Sequence, residues 1–393
     1  MPHYQRIGEV PAKRHVAHRG ADGALRFEEL MGQEGFASSS TLLYHERSPS
    51  AVVAIEAVEE TREPTSIDHP LTPRHLRTSE IMRGDLGRGG DLVTARTMLL
   101  GNDDVRVGWV VATASSPLYR NAIGDELVYV QEGRATLESV FGTLPVGAGD
   151  YVVVPASTTH RWVVHEPLAA LVVEATGHVE PPRRYRSREG QFLEQSPFCE
   201  RDIRTPQSAL RAEGSDVAVL VRTRGGLTRM VAATHPFDVT GWDGCVYPWA
   251  MSIHDFEPIV GRVHQPPPVH QTFEGPGFVV CSFVPRPYDF HPDAIKVPYH
   301  HANTDSDEVL FYSAGNFMSR AGSGIGPGSL SFHPAGFVHG PQPGSIEATL
   351  DRDRTEELAV MIDTFRPLGL TDSARRVADP DYPWTWAGRA ARS

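Results

Sequence analysis

Two stretches of this chain follow the same pattern. Asp125-Glu126 is followed seven residues after the glutamate by Gly133, and Asp307-Glu308 is followed in the same way by Gly315. Downstream, Gly149-(x5)-Pro155-(x4)-His160 matches Gly328-(x5)-Pro334-(x4)-His339, and the Glu-to-His separations are 34 and 31 residues. Such agreement describes two copies of one unit. In each copy a glutamate opens an apolar strand, and a glycine then marks a hairpin turn where positive φ is tolerated. Gly and Pro frame a second tight turn, after which the histidine begins the returning strand. Antiparallel pairing can bring that glutamate and histidine to one inward face. The interior of a small barrel would shield them from water.

The rest of the chain agrees with a mainly β fold. Apolar runs with a period near two recur at 127–140, 150–156, 169–175, 277–285 and 308–317, rich in Val, Tyr, Phe and Thr. The 36 Gly and 32 Pro supply frequent turns, which suits many short strands. Helical patterns are confined to 24–32, the stretch near 66–78 and the segment around Arg352–Thr355. The polar stretch 180–191 separates the copies, giving expected domains of 1–190 and 191–393.

Bulk properties exclude some roles. A net charge of −12 argues against a nucleic-acid groove or an anionic membrane surface. No apolar run approaches the length that spans a bilayer, and the first residues lack the apolar core of a signal peptide. Three cysteines, with no CxxC spacing, fit a reducing cytoplasm.

Histidine is unevenly distributed: half of the 18 lie between His235 and His339. Within that region His301, Glu308 and His339 offer two imidazoles and one carboxylate from short β-rich segments. That set can hold a divalent metal on one face and leave the other open, an arrangement suited to Fe(II) working with O2. The first copy keeps Glu126 and His160 but has Leu118, Tyr119, Arg120 and Asn121 where a ligating histidine should stand, so it is expected to be structural. His69 and His75 carry no pattern and are read as structural. The aromatic tail 381–386 is read as packing or an intersubunit contact.

These blocks match the two motifs of the cupins, so the chain resembles a bicupin of two jelly-roll-like barrels. With PPPVHQTF (266–273), VPYHHANTDSDE (297–308) and SFHPAGFVHGP (331–341), it resembles the homogentisate 1,2-dioxygenase family in a short bacterial form. The resemblance implies Fe(II) on His301, Glu308 and His339. His300 is set aside because adjacent strand residues face opposite ways. His270 matches the family's acid–base histidine, and a histidine titrates near working pH. His333 matches a histidine that supports a ligand or an intermediate.

The implied reaction opens the ring of homogentisate with O2 to give maleylacetoacetate, in tyrosine and phenylalanine catabolism, by a trimer or hexamer. Ala302 stands where the family has arginine, and Phe317 where it has a substrate-facing tyrosine, so another hydroquinone or hydroxylated aromatic acid is an alternative. A metal-dependent isomerase or hydrolase, or a non-catalytic binding bicupin, are the other readings. An intact ligand set in one copy only argues against the last.

Overall fold

The computed structural model describes residues 3–60, 62–81 and 89–388. Strands dominate. A 12-stranded sheet carries the first copy and a 6-stranded sheet the second, beside sheets of four and two strands. The expected runs form strands Glu126–Ser139, Asp150–Val154, His160–Ala175, Phe278–Phe283 and Asp307–Ala314. The division at residue 190 marks the sequence repeat and is not a boundary between the sheets. Strand Ser215–Thr223 pairs with Tyr119–Asn121, and Trp249–Ser252 pairs with Asp150–Val154. In the other direction, Arg74–Arg77 forms the edge of the second copy's sheet, against Ser329–His333.

Barrel walls of the two copies share one apolar core, which Tyr129, Tyr151, Phe273 and Phe311 all enter. Tyr151 meets Phe273 edge to face at 5.0 Å, and Tyr129 meets Phe311 at 6.1 Å. The phenol hydroxyls would be costly to bury unpaired. Ser313 Oγ lies 2.7 Å from Tyr129 Oη, and Ser282 Oγ lies 2.8 Å from Tyr151 Oη. This join fixes the second barrel, and hence its histidines, against the first.

All three helix expectations are corrected. Phe27–Gly32 is a strand, because pairing with the largely buried Ser40–His45 outweighs the local helical preference of Glu-Glu-Leu-Met. Arg74–Arg77 follows Pro70 and Pro73, which withhold helix donors, and joins a sheet edge instead. The region yields one helical turn, Thr78–Ile81. Arg354–Thr355 pairs with Arg286–Pro287.

The matched glycines do adopt positive φ, with Gly133 at 85° and Gly315 at 88°. Only Gly315 ends its strand. Gly133 sits inside Glu126–Ser139, at a break in register with His160–Ala175, where a Cβ would press on the Pro167 carbonyl at 2.1 Å. The expected hairpin turn at Gly133 is thus a bulge.

The aspartates preceding the two glutamates explain why Asp-Glu recurs as a pair. Asp307 accepts from the backbone N–H groups of Ala335 and Leu368 at 2.8 and 2.7 Å. Asp125 accepts from those of Ala156 and Val179 at 2.8 and 2.9 Å. In each copy the carboxylate ties the Pro-containing turn to the strand that bears the glutamate.

Candidate metal centre

Glu308, near the start of Asp307–Ala314, pairs across the ladder with His333, the last residue of Ser329–His333. His301 and His339 lie in loops, where they exchange two backbone hydrogen bonds of 2.8 Å as an isolated bridge. That bridge sets their rings 4.4 Å apart. Each ring is oriented by the carbonyl two residues earlier: Nδ1 lies 2.9 Å from Tyr299 O in His301 and 3.1 Å from Phe337 O in His339. With Nδ1–H donating there, each Nε2 presents a lone pair.

The two lone pairs converge on Glu308. His301 Nε2 lies 3.6 Å from one carboxylate oxygen, and His339 Nε2 lies 3.3 Å from the other. All three donor atoms fall within 4.8 Å of one another. His339 Nε2 is buried and, despite its approach to Glu308, is not aligned for any hydrogen bond. An orphaned buried nitrogen is costly, and a shared cation removes that cost. The donor set fits a divalent transition metal. Burial opposes ionisation of Glu308, but hydrogen bonding from the facing imidazoles, in the protonated state that a bound cation would displace, holds its carboxyl well below the ordinary value.

His333 is fully buried behind this group. Its Nδ1 lies 2.8 Å from Glu308 Oε1, its Nε2 lies 2.9 Å from Tyr382 Oη, and its ring stacks on His339 at 4.1 Å. Burial, opposed by Glu308, pushes its pKa down to about 3, so the ring is neutral. A proton on Nδ1 then donates to Glu308, while Tyr382 donates to Nε2. His300 is exposed.

Beside His301 and Glu308 a cavity of about 200 Å³ opens, lined also by His270, Arg286, Arg320 and Asp363. Of the two catalytic candidates, His270 reaches this cavity and His333 does not. His270 Nδ1 is buried without a partner. Burial, and then Arg286 and His264, lower its pKa to about 3. This corrects the expectation that it titrates near working pH: the imidazole is neutral there. Neither Ala302 nor Phe317 lines the cavity. Phe317 is 7% exposed and packs edge-on against Tyr312 at 4.9 Å.

Tyr382, Asp363 and Arg96 are not singled out by the sequence reading. The aromatic tail folds back as a turn of 3-10 helix, Tyr382–Ala387, and packs within the chain. Asp363 pairs with Glu308 on the flanking strand, and burial, then Glu308, raise its pKa to about 7. A signal for it exists: Asp363 and Glu174 are each an acid at the end of an otherwise apolar run. In the first copy Arg96 fills the centre. Its Nη1 and Nη2 reach the two oxygens of Glu126 at 2.9 and 2.8 Å, and Nη1 also reaches Glu174 at 3.0 Å. Tyr119 and Asn121, standing where a ligand would, donate to Glu126 at 3.1 and 2.9 Å.

The chain is similar to several known proteins. A cupin domain model matches residues 110–174, within the first copy. A Saccharolobus solfataricus protein named as a candidate dioxygenase is 36% identical over 395 residues, spanning 98% of this chain and 99% of its own. The homogentisate 1,2-dioxygenase of Rhodopseudomonas palustris is 25% identical over 353 residues, spanning 83% of this chain and 74% of its own. A cupin barrel protein from Leptotrichia buccalis aligns at a TM-score of 0.33 and 8% identity, over 74% of this chain and 96% of that one. Among the described residues no helix is long and apolar enough to cross a membrane. The chain therefore belongs to the homogentisate-dioxygenase-like bicupins and is an oxidoreductase of the dioxygenase class.

Proposed function

We propose that His301, Glu308 and His339 hold Fe(II), and that the enzyme opens the ring of homogentisate with O2 to give maleylacetoacetate. The observation that carries this reading is the convergence of three donor atoms within 4.8 Å beside a cavity. Bound there, Fe(II) would supply coordination positions for a ring hydroxyl and O2 and a path for electrons from the ring to O2.

The chain's own residues do the rest. The cavity wall shields the ring from water. His270, neutral and with Nδ1 unpartnered, is placed to accept a hydrogen bond from a ring hydroxyl and so orient it. His333 fixes one oxygen of Glu308, so that the other faces His301. A second reading, in which the substrate is a hydroquinone with a different ring substituent, rests on the departures from the family at Ala302 and Phe317, although neither residue lines the cavity. A cytoplasmic assembly of three or six copies is part of the same proposal, and sedimentation would measure it.

An oxygen electrode tests the reaction. Protein loaded anaerobically with ferrous iron should consume one O2 per homogentisate. Turnover no faster than with iron alone would remove homogentisate as the substrate. Oxygen uptake with a different hydroquinone would establish the second reading.

A further inference from the structure

We propose that Arg320 is the anion anchor of the cavity and selects aromatic substrates that carry a carboxylate side arm. The inference builds on the ring-cleavage reading and assigns the group that chooses among ring substituents. Arg320 is 6% exposed and lines the cavity together with His301 and Glu308. Its Nε donates to Tyr312 Oη at 2.9 Å and its Nη1 to the Gly340 carbonyl at 2.6 Å. These two bonds fix the plane of the guanidinium, while Nη2 has no hydrogen bond among the described residues.

Arg320 also lacks a close ion pair, Glu308 acting on it only from beyond 4.0 Å. Among the described residues no carboxylate lies within 4.0 Å of Arg320. The other buried arginines are treated differently. Arg96 pairs with Glu126 and Glu174, and Arg222 pairs with Glu60 at 2.6 Å. The remaining cations of the cavity are engaged as well. Arg286 pairs with Glu357 at 2.8 Å and lies over the Phe283 ring, and Lys296 Nζ donates to the Asp289 carbonyl at 2.9 Å. A buried guanidinium left without an anion is costly, because burial removes its hydration.

A ligand carboxylate supplies the missing anion. A planar guanidinium held at two nitrogens leaves its third in a fixed direction, so it binds a carboxylate with little further ordering. A metal on the three donors adds positive charge that Glu308 only partly offsets, so the site as a whole favours an anionic ring. Anchoring the side arm at Arg320 would leave the ring hydroxyls directed to the metal side of the cavity. In this arrangement the group that holds the carboxylate is neither Ala302 nor Phe317.

Calorimetry on the full-length, metal-loaded protein tests this with phenylacetate and its uncharged isostere phenylacetamide, neither of which needs ring hydroxyls. Wild-type protein should prefer the acid. Arg320→Gln should weaken acid binding by about 10- to 100-fold, the range of a charged hydrogen bond, and leave the amide within about twofold. Arg320→Lys, which keeps the charge, should retain part of the preference. A wild type that does not discriminate, or an acid-to-amide ratio unchanged in Arg320→Gln, overturns the proposal. Equal loss of both ligands together with metal from Arg320→Gln and Arg320→Lys also overturns it, since that marks a brace for the His339 loop. If acid selectivity depends on Arg320 while no hydroquinone is cleaved, the anchor stands and the ring-cleavage reading fails.

Discussion

Val154, Glu126 and Glu174 occupy, in the first copy, the cross-strand row that His333, Glu308 and Asp363 occupy in the second. Both rows gather negative charge inside a barrel, where an isolated carboxylate is costly. The first copy meets that cost with a cation of its own, since Arg96 binds both acids. Among the described residues the second has no such arginine, and Arg320, the buried cation of its cavity, forms no ion pair with them. Instead, two histidines turn their Nε2 atoms toward Glu308. One fold thus carries a covalently supplied cation on one side and a place for an exchangeable one on the other.

The largest expected effect separates the two centres outright. His339→Ala should abolish turnover and metal retention together. His160→Ala, in the matching position of the first copy, should leave the metal content unchanged. Elemental analysis beside the oxygen electrode checks both, and loss of metal from His160→Ala would break the comparison.

The next contrast is in stability. Glu126→Gln leaves Arg96 buried with its main partner neutralised, which should cost about 3–5 kcal/mol. Denaturant unfolding should show this loss with the metal stoichiometry intact. A loss below about 1 kcal/mol would mean that Arg96 is not the first copy's substitute for a metal.

A smaller effect is expected behind the metal centre. Tyr382→Phe removes the donor to His333, and the loss of an outer partner typically weakens metal binding about 10- to 100-fold. Competition with a chelator of known affinity measures it. An unchanged affinity would reduce the aromatic tail to packing.

Acid sensitivity should be the mildest difference. Burial opposes ionisation of Glu126, but Arg96 holds its carboxyl below the ordinary range. Its folded pKa being depressed, its contribution is complete above about pH 4.3 and is lost as pH falls below that. Melting temperatures from pH 6 to pH 3 should decline less steeply in Glu126→Gln than in the wild type. Equal slopes would remove Glu126 from the acid response.

Much of this was legible in the sequence, for local reasons. Period-two runs located the strands, and the repeat aligned Glu126 with Glu308 and His160 with His339. The candidate helices failed because strand pairing with distant segments outweighed local preferences at 27–32 and 74–77. Gly133 failed as a turn because its strand continues through a bulge whose partner lies about 35 residues away.

The sequence by itself determined the repeat, the Asp-Glu and Gly-Pro-His frames, and the choice of imidazole and carboxylate donors, because each is fixed by neighbours within a few residues. Tertiary structure decided which copy has its own cation. Arg96 is 30 residues from Glu126, Tyr382 is 49 residues from His333, and Arg320 bonds a carbonyl 20 residues on. Their meetings follow from how the sheets close and the tail folds back, and no local pattern encodes that. Charge acts through space, so whether a buried acid holds a guanidinium or faces two imidazoles is settled only when the barrels pack.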